Sequence, residues 1–196
     1  TMAFKGLMPL IAQFRKIHPG IDIDLMVENR LIDMARREAD VALRATRPAQ
    51  GDLFGRKVAD VHWGLFASSG YLKANGTPKG VADLARHAVI GWPDLSTNTR
   101  AGAWLAKHVP TEATGFRVSG FVHHCIAARD GLGVALLPVY LAAGEKNLVP
   151  VLSRLKDLVT EMWIVTHRSL KDTARVRAFM EHVGDGVKRR IAELSA

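Results

Sequence analysis

The sequence predicts an α/β fold, and two observations carry that reading. Short apolar segments of strand length alternate with helical segments along the whole chain, and strands joined by helical crossovers form largely parallel sheets. The chain also has the means to bury a core, with 196 residues of which 48% are hydrophobic and 23% charged. That length suits one domain or two small lobes.

The elements follow in order. Leu7, Leu10, Ile11, Phe14 and Ile17 recur at helical spacing, and His18-Pro19-Gly20 stops that helix. Ile21, Ile23, Leu25 and Val27 alternate with their neighbours as a strand does. NRLIDMARREA reads as a helix, Asp40 to Leu43 as a short strand and RATRPAQGD as a loop. Val61 to Ala67 (VHWGLFA) is a buried strand that Ser68-Ser69-Gly70 turns. Thr77 is a reasonable N-cap, with Pro78 at the first position of a helix running through VADLARH. AVIGW, FRVSG, VALLP and MWIVTH are further strands. Gly131 reads as the C-cap of the helix FVHHCIAARD, and Gly133 permits the turn into VALLP. From about Thr173, the residues Val176, Met180, Val183, Val187, Ile191 and Leu194 mark a long C-terminal helix. Its Gly184 and Gly186 should loosen the middle by about 1 kcal/mol each relative to Ala. No repeat, low-complexity tract or Pro/Gly/Ser-rich linker divides the chain, so two lobes would have to be joined through ordered strands.

Composition removes several function classes. One cysteine excludes an intramolecular disulfide framework. No apolar run approaches the roughly 20 residues of a membrane helix, which points to a cytoplasmic chain with no membrane partner. The formal net charge is +8, yet the basic residues are scattered. The densest run, Lys188-Arg189-Arg190, lies near a helix end where the dipole favours cations. Without interleaved aromatics it is a poor nucleic-acid surface. Because the first residue is Thr1 and not Met, the sequence reads as a piece of something longer.

The stretch Ser119 to Leu141 raises the sharpest chemical question, because His123-His124-Cys125 places the lone cysteine behind two histidines. Adjacent residues on a helix diverge by about 100 degrees, whereas metal-binding pairs sit at i and i+4. No C-x-x-C, H-x-x-x-H or H-x-E pattern supplies further ligands, so no metal is assigned. Cys125 as a nucleophile would need a depressed pKa; a buried cysteine ordinarily behaves as a small hydrophobe. Gly131-Leu132-Gly133 lacks the dinucleotide frame, no G-x-S-x-G elbow exists, and no acid pair stands out. Catalytic residues and cofactors are therefore not assigned. What remains is a set of strand-to-helix junctions at Thr1, Arg44, Ser68-Ser69 and Ser119-Gly120. Such junctions form anion or carboxylate pockets, although Ser and Thr also cap helices routinely.

The segments LMPLIAQFRKIHPGIDIDL, ADVALR, GRKVADVHWGLFASSGYLKANGTP, ARDGLGVALLPVYLA, LVPVL and MWIVTHRSLKDTARVRAFMEHV resemble, in order, the effector-binding domain of LysR-type transcriptional regulators. GRKVADVHWGLFASSGYL and WIVTHRSLKDTARVRAF further resemble the branch that includes regulators of glycine cleavage and of β-lactamase expression. The resemblance implies a type 2 periplasmic-binding-protein-like fold of two Rossmann-like lobes with an interlobe cleft. Lobe I would hold residues 1–67 plus 163–196 and lobe II residues 68–162, with VHWGLFA and MWIVTH crossing between them. It implies effector binding by Thr1, Arg44, Ser68, Ser69, Trp92, Thr97, Ser119, Gly120, Phe121 and His123, while His124 and Cys125 face packing or the second turn. The implied partners are a small-molecule effector bearing a carboxylate or other anionic group, and further copies of the chain in a homodimer or tetramer. Contact with DNA would come only through an N-terminal winged helix-turn-helix absent from this sequence. A solute-binding protein or small enzyme on the same fold is the alternative. Two departures stand out: the family's strand before the first helix is missing, and Phe121-Val122-His123-His124 is bulkier than the small polar residues usual there, which favours a small or flat ligand.

Overall fold

The computed structural model describes residues 6–27, 38–48, 51–93 and 99–195. Its elements run α1 (Met8–Ile17), β1 (Val41–Arg44), β2 (Leu53–Ser68), α2 (Ser69–Asn75), β3 (Val89–Gly91), α3 (Arg100–His108), β4 (Phe116–Arg117), α4 (Phe121–Arg129), β5 (Val134–Pro138), α5 (Val139–Ala142), β6 (Leu148–Leu152), β7 (Val159–His167) and α6 (Ala174–Ser195). Short 3-10 turns occupy Val81–Arg86 and Thr111–Ala113. The chain divides into two compact units, one built on His62–Val159 and the other on Met2–Val61 with Thr160–Leu194, so that β2 and β7 each pass through a division.

In the unit His62–Val159 the strands lie in the order β4-β3-β5-β2, with β6 also on β2. β3 is parallel to β4 and to β5, whereas β2 is antiparallel to β5 and to β6. Every residue of β5 and the run Trp63–Ser68 of β2 are buried, the continuous apolar pattern of strands covered on both faces. Leu65, Leu84, Ile90, Leu136, Leu137 and Leu141 are the fully buried centre. α4 ends in a Schellman motif: the Gly131 N–H donates to Ala128 O at 3.1 Å and the Leu132 N–H to Ala127 O at 3.0 Å, with Gly131 at φ 87°. Gly133 follows at φ 150°, and a Cβ there would collide with the Ala88 carbonyl.

In the unit Met2–Val61 with Thr160–Leu194, β1 is antiparallel to β7, and β7 neighbours β2. The stripe Val176, Met180, Val183, Val187 and Ile191 of α6 is buried, as the spacing predicts. Phe14 of α1 meets Phe179 edge-on at 5.2 Å. Gly184 and Gly186 have a specific reason to be present: a Cβ on Gly184 would strike the Arg56 guanidinium, and one on Gly186 would meet Leu10 of α1 at 2.8 Å. They allow α6 to approach its neighbours closely, a gain that propensity alone does not register.

Several expectations need correction. Ile21–Val27 is not a strand: Ile21 and Ile23 keep the predicted half-burial, but no ladder partner exists among the described residues and Leu25, Met26 and Val27 are exposed. Ile17 completes the helical spacing of α1 yet is 61% exposed. The sheets are mixed, not largely parallel, because strand periodicity reports where a strand lies and not the sense of its partner. Ser68-Ser69-Gly70 does not merely turn the chain. The Ser68 hydroxyl accepts from the Tyr71 N–H at 3.2 Å and so caps α2. Thr77 and Pro78 start no helix; the Asp83 carboxylate accepts the Lys79 N–H at 2.8 Å, and a 3-10 turn begins after Gly80. Most of NRLIDMARREA lies outside the described residues.

Gly133→Ala should lower the stability measured by urea unfolding by about 2 kcal/mol or more, combining a disallowed backbone angle with the Ala88 clash. Gly80→Ala, with extended φ and open space around it, should change it by no more than about 0.5 kcal/mol. Similar losses for both would contradict this account of Gly133.

Candidate functional site

The unit His62–Val159 gathers an aromatic cluster where three strands end. Parallel β3 and β4 finish at Gly91 and Arg117, which are paired, and antiparallel register sets Trp63 of β2 opposite Pro138 at the end of β5. Trp92 therefore leaves the sheet beside the start of α4. Its indole stacks on His124 with centroids 4.3 Å apart and 26° between planes. Phe121 sits edge-on to both tryptophans, 5.5 Å from Trp92 and 5.1 Å from Trp63. Phe121 and His124 can share this role because residues three apart lie on one helix face.

His124 is fully buried and its Nε2–H donates to the Val118 carbonyl at 2.8 Å. Since a carbonyl can only accept, Nε2 carries the proton and Nδ1 is bare; Nδ1 is buried with no partner among the described residues. Burial holds the imidazole neutral, lowering its pKa from 6.5 to about 4; the Val118 carbonyl opposes the shift and the His123 charge adds to it. His123 is exposed and turns back, its Nδ1–H donating to the Ser119 carbonyl at 2.9 Å. Gly120, at φ 86°, precedes α4 and provides no side-chain cap. An uncapped first turn leaves backbone N–H groups and the positive helix end for an external acceptor. The exposed hydroxyl of Ser119 lies at the same junction.

Of the residues singled out from sequence, Trp92, Ser119, Gly120, Phe121 and His123 come together here. Ser68 and Ser69 do not join them. Ser68 lies beside the far end of α4, where a Cβ on Gly131 would be 3.6 Å from its Oγ, about 13 Å along the helix from Phe121. Its hydroxyl is engaged in the α2 cap. Arg44 belongs to the other unit, opposite Trp163 in the β1/β7 ladder. Thr1 and Thr97 lie outside the described residues. Cys125 is buried, and no group of three or more His, Cys, Asp or Glu among the described residues could hold a metal ion. No helix among them is long and apolar enough to cross a membrane. Sequence reasoning missed Trp63, because the register that brings it near is not readable from local pattern; it set His124 toward packing or the second turn, and His124 is buried and stacked on Trp92.

The family described as LysR substrate binding domain matches residues 1–188. The chain belongs to that family. It is 33% identical over 185 residues to the transcriptional regulator CrgA of Neisseria meningitidis serogroup B, covering 92% of this chain and 62% of that protein. It is 25% identical over 188 residues to the probable regulator LtrA of Klebsiella pneumoniae, covering 91% and 60% respectively. The chain thus spans about 60% of the length of these relatives. Among solved structures, N. meningitidis CrgA aligns with a TM-score of 0.74 at 25% identity, over 98% of this chain and 65% of that one. The AmpR effector binding domain of Citrobacter freundii, 18% identical, shares the fold at a TM-score of 0.75 over 96% and 94%. The first is described as a LysR-type transcriptional regulator and the second as an effector binding domain, and the shared fold is the type 2 periplasmic-binding-protein-like one.

The neutral His124 carries a linkage prediction. Its folded pKa is depressed, so its contribution is complete above pH 6.5 and is lost as pH falls toward the folded value of about 4. A displacement of this size corresponds to about 3 kcal/mol. Urea unfolding of the wild type between pH 7 and pH 4.5 should therefore show a steeper loss than His124→Phe. Parallel pH profiles would show that His124 is not held neutral.

Proposed function

We propose that this chain is the ligand-sensing regulatory domain of a LysR-type transcriptional regulator, in which a small-molecule effector alters how the intact protein holds DNA. The two compact units correspond to its two regulatory lobes. Family membership sets the class, and one local observation supports effector binding by the unit His62–Val159: α4 opens without a side-chain cap beside Trp63, Trp92 and Phe121. An anion finds N–H donors at the helix start, and a flat apolar body finds ring faces and edges. The effector is thus a small, planar carboxylate. It acts by differential affinity for two conformations of the domain, since a ligand that binds both equally shifts nothing. DNA contact belongs to a separate part of such a regulator, which is cytoplasmic. The assignment favours neither a solute-binding protein nor an enzyme, because the matched relatives are transcriptional regulators.

Self-association is part of the same proposal. Leu25, Met26 and Val27 are 40%, 51% and 64% exposed in a row, on a segment without a ladder partner among the described residues. An exposed apolar stretch of this kind can be covered by a second copy. Met26→Lys with Val27→Glu should lower the mass found by sedimentation equilibrium, and an unchanged mass would exclude this stretch.

A thermal-shift screen with aromatic and aliphatic carboxylates tests effector binding. A ligand at about one hundred times its dissociation constant adds roughly 2.7 kcal/mol, which raises the midpoint by several degrees. Ser119→Ala should weaken the hit by the worth of one hydrogen bond, about 0.5–1.5 kcal/mol, and Phe121→Ala should weaken it through lost ring contact. Full binding by both variants would move the effector away from α4.

A further inference from the structure

We propose that the unit Met2–Val61 with Thr160–Leu194 carries a second anion site, built for a planar aromatic carboxylate and independent of the α4 junction. On the odd-numbered face of β7, Glu161, Trp163 and His167 are part-buried, whereas Val165 is fully buried. Met162 and Ile164 point into the core, while Trp163 stands half-exposed on the other face. Over that face the loop after β1 is held close, because Gly55 lacks a Cβ that would sit 2.8 Å from Pro48 and 3.0 Å from Val165. The result is a pocket of ≈ 730 Å³ lined by Arg47, Pro48, Gly51, Leu53, Phe54, Gly55, Trp163 and Arg168. That volume lies within the range of small-molecule sites.

Its chemistry is specific. Among the described residues that line it, the ionisable groups are two guanidinium groups, and Phe54 and Trp163 supply aromatic rings beside Leu53. The Arg47 guanidinium lies over the Trp163 ring at 5.6 Å, and Lys171 lies over Phe54 at 5.7 Å. The Trp163 ring is fixed from its edge by the Nε1–H donating to Glu161 at 2.9 Å. Glu161 also feels the Arg47 charge, and Lys57 pairs with it at 3.1 Å and with Asp60 at 2.7 Å. The Arg168 backbone is anchored by its N–H donating to Asp52 O at 2.6 Å, which fixes Arg168 at the wall of the pocket. Planar guanidinium groups match carboxylates with two parallel hydrogen bonds, and an aromatic body stacks against the ring surfaces beside them. Local sequence pattern does not reveal this, because Arg47 and Trp163 are brought together by the β1/β7 ladder.

The test is a titration of the chain with 2-naphthoate, followed by the indole N–H resonance of Trp163, assigned by its loss in Trp163→Phe. A saturable shift of that resonance is expected. The uncharged 2-naphthamide should bind at least about tenfold more weakly, as should naphthoate to Arg47→Gln or Arg168→Gln, while Ser119→Ala should leave the Trp163 response unchanged. The proposal is overturned if Trp163 does not respond at millimolar naphthoate, if the amide binds as well as the acid, or if both arginine variants bind normally. It is equally overturned if the Trp163 resonance moves with protein concentration alone and Phe54→Ser abolishes that movement, since the face would then be a contact between copies.

Discussion

The hydrogen bond from His124 to the Val118 carbonyl is the constraint on which the α4 junction depends. It ties the first turn of a helix to the end of the strand before it, and the same ring stacks on Trp92 at the end of the neighbouring strand. One imidazole thus fixes three elements. Phe121 is carried into place between Trp63 and Trp92 because it lies one turn earlier on the same face. The arrangement has a built-in tension. A buried polar atom without a partner costs about 1–3 kcal/mol, and Nδ1 of His124 has none among the described residues. The stacking and the Nε2–H bond offset that cost, and burial, which outweighs the pull of the Val118 carbonyl toward the charged form, keeps the ring neutral.

The two proposed sites would attract an anion by different chemistry. At α4 the attraction for an anion comes from backbone N–H groups and the helix dipole, with aromatic walls and no cationic side chain from the cluster itself. On β7 the attraction comes from Arg47 and Arg168, with aromatic walls again. Backbone donors are fixed and bear no net charge, so the first arrangement selects by fit. Guanidinium groups on flexible stems keep their charge at any ordinary pH, so the second selects by charge and planarity. A chain with a net charge of +8 uses few of its cations this way; others are committed to surface ion pairs such as Arg56 with Asp185.

Much of the fold was legible because apolar periodicity is a direct consequence of burial. The stripe from Val176 to Ile191, the buried run of β2 and the Gly131 cap all follow from local pattern. Pairing was not legible: alternation in Ile21–Val27 marks a segment suited to a strand, but a strand needs a neighbour, which the segment itself does not encode. The site was legible in part for the same reason. Helix-start residues Ser119, Gly120 and Phe121 are local features. Whether Ser68 stands at the same end of the sheet depends on the antiparallel register of β2 against β5, and that register puts it at the other end. Gly184 and Gly186 show the complementary case, where a local penalty is outweighed by close approach to Arg56 and Leu10.

A nitrogen-15 NMR titration of the His124 ring would test the central claim most directly. The account predicts a single tautomer with the proton on Nε2 at neutral pH, and protonation of Nδ1 only as pH approaches about 4. A ring that titrates at its ordinary value of 6.5, or that carries its proton on Nδ1, would contradict it, because the ring would then not be the neutral donor that joins α4 to Val118 and Trp92.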